Sequence, residues 1–331
     1  MNTLVDFSGT LIMTAGGIAN NNGGGGVLNC GIFSISGGKI SNNTSTHGGG
    51  VYNNGYDFSM SGGEISGNTA EYGGGVYNYN GKVSLSDGGV ICGNNAKIGG
   101  GVYNYYGSIN MQGGMISGNT AEDKGGGVYN YFIFSTFDLS GGVISCNTAN
   151  LGGGVCTDYI FNMSDSEISG NRAKYGGGVY IGNGVFRVIT GNISGNTADH
   201  GGGVWVDTKN LGNLFVSDEV TFSNNNASTA YYHRDPAYDA VYHSNIGSNV
   251  TWTSPFTQGH NNYDISYTND PLVNLESSDM LSNLVSSEEG KIVENGYYWV
   301  VLIIVSVLLG CIICVLFLYF KPRKNNLYSD P

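Results

Sequence analysis

The chain is short of positive charge. It holds 13 Lys and Arg against 25 Asp and Glu, a formal net charge of −12. Nucleic-acid binding needs clustered cations on phosphates, so no nucleic-acid partner is expected. Charged residues of either sign make up only 11 % of the chain. Proline is scarce at 5, which excludes a collagen-like chain. No Lys or Arg precedes Lys39, so the basic start of a secretory signal is missing from these residues. Long helical stretches are excluded through most of the chain, because glycine would interrupt them every few residues.

Glycine is what the sequence has instead, 56 of 331 residues, with 23 tyrosines. Average usage of glycine is about 7 %. The phrase GGGVYN occurs at 48–53, 73–78, 99–104 and 125–130, with variants at 24–29, 152–157, 176–181 and 201–206. Its valine falls at 27, 51, 76, 102, 128, 155, 179 and 204, a spacing of 24 to 27 residues. A second phrase, aliphatic-x-x-Asn, precedes each copy, as in Ile65–Asn68, and a ninth, aromatic version is Phe222–Asn225. Between the two lies a short alternating run such as Phe58/Met60 or Val83/Leu85.

Alternation at period two marks strands with one buried face. Three such strands and their turns in each repeat describe one coil of a parallel β-helix. A single coil cannot bury its apolar face; stacking closes the core and the backbone hydrogen bonds. Eight or nine coils at ~4.8 Å would stack to about 40 Å. Val51, Ile65 and their equivalents should point inward. Asn68 and its equivalents should stack at a corner as an amide ladder, asparagine also tolerating the left-handed conformation that corners often require.

These repeats resemble those of the polymorphic outer membrane protein family, which pair an FxxN motif with GGA[ILV]. Here ISGNTAEYGGGV (65–76) keeps the order and near spacing. Ile replaces Phe except at Phe222, and glycine replaces alanine at Gly75. The resemblance covers roughly residues 11–227. It implies a right-handed parallel β-helix, exposure at a cell surface and, often, adhesion to host cells. Bacterial members end in a β-barrel; the end of this chain is more like the single-span surface versions of parasitic protists.

The segment Trp299–Phe320 is 22 residues without a charge, flanked by Tyr297 and Tyr298 and followed by Lys321, Arg323 and Lys324. As a helix it would span roughly 33 Å, enough for a bilayer core. Basic residues stay cytoplasmic, so the tail should be inside and residues 1–296 outside. The expected layout is coils over 1–227, an aromatic-rich cap over 228–270, an acidic stalk over 271–296, a transmembrane helix over 297–320 and a tail over 321–331. The chain either lost a signal peptide by truncation or is tail-anchored; the basic flank favours the former. Asn325–Tyr328 has the N-x-x-Y form of internalisation signals, without their usual proline.

Sites of chemistry are sparse in the pattern. Glu64, Asp87, Asp138, Glu167 and Asp218 lie near the second corner, and Glu64, Asp87 and Asp138 could line one edge. His47, His200, His233, His243 and His260 show no zinc spacing, and His47 and His200 read as exposed turn residues. No metal, cofactor or catalytic residue is expected. Cys30, Cys92, Cys146 and Cys156 occupy different columns; Cys92 and Cys146 would lie about 10 Å apart, too far for a disulfide, while Cys146–Cys156 is conceivable. Sequons stand at Asn42, Asn43, Asn162, Asn192, Asn226 and Asn249.

The residue after the inward valine should point outward. That column holds Tyr52, Tyr77, Tyr103, Tyr129, Tyr180 and Trp205, interrupted by Cys156. An exposed stripe of rings suits contact with a protein or a glycan, while stacked rings would also stabilise the coils. The expected protein is a non-enzymatic, single-pass plasma-membrane protein whose β-helix binds host cells or surface ligands. The alternatives are a carbohydrate-active β-helix enzyme and an inert coat protein.

Overall fold

The computed structural model describes residues 5–228 and 263–268. They form an all-β parallel solenoid of about nine turns. Every coil has four legs where three were expected. First legs, such as Val76–Tyr79, build a ten-stranded parallel sheet. Second legs (Lys82–Leu85) and third legs (Val90–Cys92) share a fourteen-stranded sheet. The additional fourth leg, such as Thr69–Tyr72, follows each ladder asparagine. Fourth legs form four-stranded and two-stranded sheets joined through isolated bridges.

The inward columns make one continuous core. Val76 pairs in register with Val51 and Val102, and Ile65 with Ile40 and Ile91. In the second leg Phe137, Phe161 and Phe186 stack at 4.7 and 4.6 Å, and all three are fully buried. Alanines such as Ala70 and Ala96 supply the inward side of the fourth leg. A column of like residues at the coil spacing brings identical shapes face to face, so each coil is a template for packing the next.

The expected amide ladder is present and complete. It runs Asn21, Asn43, Asn68, Asn94, Asn119, Asn147, Asn171, Asn196 and Asn225. Asn68 Nδ2 donates to Asn94 Oδ1 at 2.9 Å and to the Ile40 carbonyl at 3.0 Å. The Asn68 backbone N–H donates to the same Asn94 Oδ1. A buried amide needs this full set of partners to avoid an orphaned polar atom. The left-handed residue of the corner is the one before the asparagine, not the asparagine itself: Asn20, Asn42, Gly67, Gly93, Gly118, Cys146, Gly170, Gly195 and Asn224, with φ between 55° and 64°.

A second ladder, unexpected from the repeats, uses the asparagine of GGGVYN. Asn29, Asn53, Asn78, Asn104 and Asn130 each pass one bond to the next, and Asn130 passes its own to Thr157 Oγ1. The triple glycine between the fourth and first legs is dictated by close approach of backbone. A Cβ on Gly75 would stand 2.6 Å from the Gly101 carbonyl and 2.8 Å from Ile91 Cγ2. Alanine, which the resembling repeats carry at this place, has no room here.

Of the aromatic-rich segment expected over 228–270, residues 263–268 add a tenth strand, Ile265–Thr268, paired with Val204–Asp207. Asp264 stands in the column of the third glycine, and its Oδ1 accepts from Asn225 Nδ2 at 2.9 Å. The rest of that segment, the stalk, the span at 297–320 and the tail lie outside the described residues. Among the described residues no helix is long and apolar enough to cross a membrane.

Candidate functional site

The outer face of the first sheet is aromatic. Register places Tyr52, Tyr77, Tyr103 and Tyr129 one above another, then Cys156, Tyr180 and Trp205. Ring centroids are 5.1 Å apart for Tyr52–Tyr77, 5.2 Å for Tyr103–Tyr129 and 4.7 Å for Tyr180–Trp205. The stripe therefore exists, but its expected exposure is corrected. Tyr77, Tyr103, Tyr129, Tyr180 and Trp205 are buried, with 7 % exposure at most, and Tyr52 is half-buried.

Two flanking columns supply the cover. On one side the fourth legs end in His47, Tyr72, Ile98, Lys124, Leu151, Tyr175 and His200. On the other, Tyr79, Tyr105 and Tyr131 stand two residues along the same first legs. His47 stacks on Tyr72 at 5.2 Å and meets Tyr77 edge-on at 4.9 Å. His200 stacks on Tyr175 at 4.8 Å. Both histidines are half-buried rather than exposed, and burial lowers the pKa of His47. Outward direction was legible from alternation; burial was decided by neighbouring columns.

Beside the break at Cys156, the buried Tyr129 hydroxyl donates to Asp158 Oδ2 at 2.6 Å. Lys124 Nζ lies 5.6 Å from the centre of the Tyr129 ring. Burial pushes both the Tyr129 hydroxyl and the Cys156 thiol well above their usual pKa range. Cys156 is thus a fully buried, packed thiol.

The corner between first and second legs differs from coil to coil. Its left-handed position is held by Gly55 (φ 85°), Asn80 (φ 54°), Tyr106 (φ 62°) and Phe132 (φ 81°). Glycine and asparagine take this conformation readily, whereas an ordinary side chain costs about 1–2 kcal/mol there. The Val128 coil also carries extra chain: four residues separate Tyr131 from Thr136, where two separate Tyr105 from Ser108. In that insertion Phe134 is again left-handed (φ 68°) and 73 % exposed, and Ile133 is 50 % exposed. Tyr106 and Phe132 rings approach to 4.2 Å, and Phe134 meets Tyr159 edge-on at 6.4 Å. Beside these rings opens a groove of about 310 Å³. Of the three left-handed rings Phe134 is exposed, and Tyr106 and Phe132 are half-buried. The signal in the sequence was the spacing from Val128 to Val155, at 27 residues the longest of the series.

The remaining expected residues are scattered. Glu64 begins a third leg, Asp138 lies on a second leg and Asp87 is in a turn, so the three do not line one edge. Glu64 pairs with Lys39 at 2.8 Å, and that hydrogen bond, with one from Ser66, lowers its pKa. Asp138 accepts from the Asn162 amide at 2.7 Å. The described cysteines are free: Cys146 is exposed and Cys156 buried. Asn42 and Asn226 are exposed, and Asn162 and Asn192 half-buried. Asn43 is corrected as a glycan acceptor, because it is fully buried with its amide committed to Asn68 and the Ile18 carbonyl. Asn249 and His233, His243 and His260 lie outside the described residues. Comparison with family models, curated proteins and solved structures finds no match to this chain.

Proposed function

We propose that the chain is a non-enzymatic binding protein of the cell surface, belonging with the polymorphic outer membrane protein-like repeats. In this reading the solenoid stands outside the plasma membrane, residues 297–320 span it as a helix, and the short tail is cytoplasmic. Asn42 and Asn226, open to solvent, are its glycan acceptors. The coil is right-handed, as in the repeats it resembles. The observation that carries the reading is the corner at Tyr106 and Phe132–Phe134, where left-handed backbone carries three rings and holds that of Phe134 in solvent, beside the exposed Ile133. The tyrosine stripe supports that corner from beneath: Tyr103 touches Tyr105 and Tyr131, and both touch Phe132.

The test is binding of the labelled full-length chain, in detergent micelles, to intact cells. Saturable binding is expected. Replacing Ile133 and Phe134 together by serine should reduce it at least tenfold while the unfolding transition stays in place. Unsaturable binding, or binding indifferent to that change, overturns the reading.

A further inference from the structure

The shallow groove beside the aromatic corner is lined by polar residues and two rings. Asp57, Lys82 and Ser108 each open a second leg and stand in register on successive coils. Asn80 reaches the groove from the corner turn, and Tyr106 and Phe134 wall it. Asp57 and Lys82 are exposed neighbours of opposite charge, yet they form no ion pair with each other. Lys39 and Glu64, neighbours in the same way on the third legs, do pair, at 2.8 Å. The lining thus brings together a carboxylate, an ammonium and a hydroxyl on successive coils, an amide on the corner turn, and two rings.

We propose that this groove holds a neutral sugar ring of a glycan chain. A pyranose has one face of C–H bonds, which suits an aromatic face, and an edge of vicinal hydroxyls that donate and accept at once. Asp57 accepts from such hydroxyls, Lys82 donates to them, and Asn80 and Ser108 do both. A phosphate or sulfate would meet the Asp57 carboxylate, and a purely apolar ligand would leave all four polar groups without partners. The strain at Tyr106 is then the cost of presenting a ring where Gly55 and Asn80 show that cheaper residues close the same turn.

This inference rests on the binding reading above, and its test separates the two. The full-length chain is titrated with lactose, maltose, cellobiose and chitobiose, and with a sulfated heparin fragment, by ligand-observed saturation-transfer NMR. At least one neutral disaccharide should bind. Phe134→Ser and Tyr106→Asn, the latter compatible with the left-handed turn, should each weaken it at least tenfold, and Asp57→Asn several-fold. Arg187→Gln, on the second leg away from the groove, should leave it unchanged. No binding of any neutral sugar, binding of the heparin fragment alone, or binding that survives both ring changes overturns the saccharide site. Cell binding that persists in that event leaves the surface-binding reading standing; loss of both removes both.

Discussion

The two amide ladders of the solenoid obey different rules. The one before the fourth legs runs unbroken from Asn21 to Asn225, and every corner beside it turns on a single left-handed residue. The one at the end of the first legs holds from Asn29 to Asn130, then yields to Thr157, Ile181 and Val206. The difference lies in what each amide holds. Asn94 Oδ1 accepts from both the backbone N–H and the Nδ2 of Asn68, and Asn94 Nδ2 bonds the Ile65 carbonyl and Asn119. Asn104 Oδ1 accepts from Asn78 Nδ2 and takes no backbone N–H, while its own Nδ2 donates to the Gly107 carbonyl of its own turn and, on the next coil, to Asn130 Oδ1 and, at 3.2 Å, to the Thr136 carbonyl. An amide whose oxygen also takes the backbone N–H of the neighbouring coil fixes the corner. An amide that braces a local turn lets the turn change length and content, and there the aromatic loop is inserted.

The largest expected effect breaks this comparison directly. Asn94→Thr strips acceptors from Asn68 and a donor from Ile65, at about 1–3 kcal/mol for each orphaned group, so a loss of roughly 3 kcal/mol or more is expected. Asn104→Thr imitates what the chain already does at Thr157 and should cost only about 1 kcal/mol. Denaturant unfolding of both variants decides, and equal losses would dissolve the distinction between the ladders.

A smaller effect of opposite sign is expected at the variable corner. Tyr106→Asn relieves a left-handed aromatic residue and should raise stability by roughly 1 kcal/mol. A loss of stability instead would mean that the ring contacts with Phe132 and Tyr105 outweigh the strain. The smallest effect concerns His47. Its pKa is lowered by burial against Tyr72 and Tyr77, so the unfolded chain binds the proton more readily. Its contribution is complete above the unfolded value of 6.5 and is lost as pH falls through the lower folded value. An NMR titration of the His47 ring should show a midpoint below 6.5, and a midpoint above it would place the ring in solvent or beside a dominant acid.

Most of the solenoid was legible because stacking repeats the same residue at the same place. Valine, isoleucine and the first asparagine each mark a column in every coil, and their period gave the coil number. The fourth leg was not legible, because TAEY offers one small inward residue, Ala70, and no aliphatic alternation. The second ladder was hidden in a phrase whose last residue also reads as a turn former. The tyrosines misled on exposure because a single strand reports direction, whereas cover comes from Tyr72 and Tyr79, which lie on another leg and two residues along. The corner site escaped since it departs from the repeat, and a period shows only what recurs.

Asp264 has one further consequence. In the long ladder every Oδ1 faces the preceding coil, and one hydrogen of every Nδ2 faces the following one. Nine amide dipoles therefore add head to tail, as peptide dipoles do in a helix, and polarise one another inside the low-dielectric core. The stack has an electrical direction, with its positive pole where Asn225 Nδ2 emerges. A carboxyl group, that of Asp264, sits at this pole and accepts its last hydrogen. The column ends as helices begin, with an acid against the positive end of an aligned array.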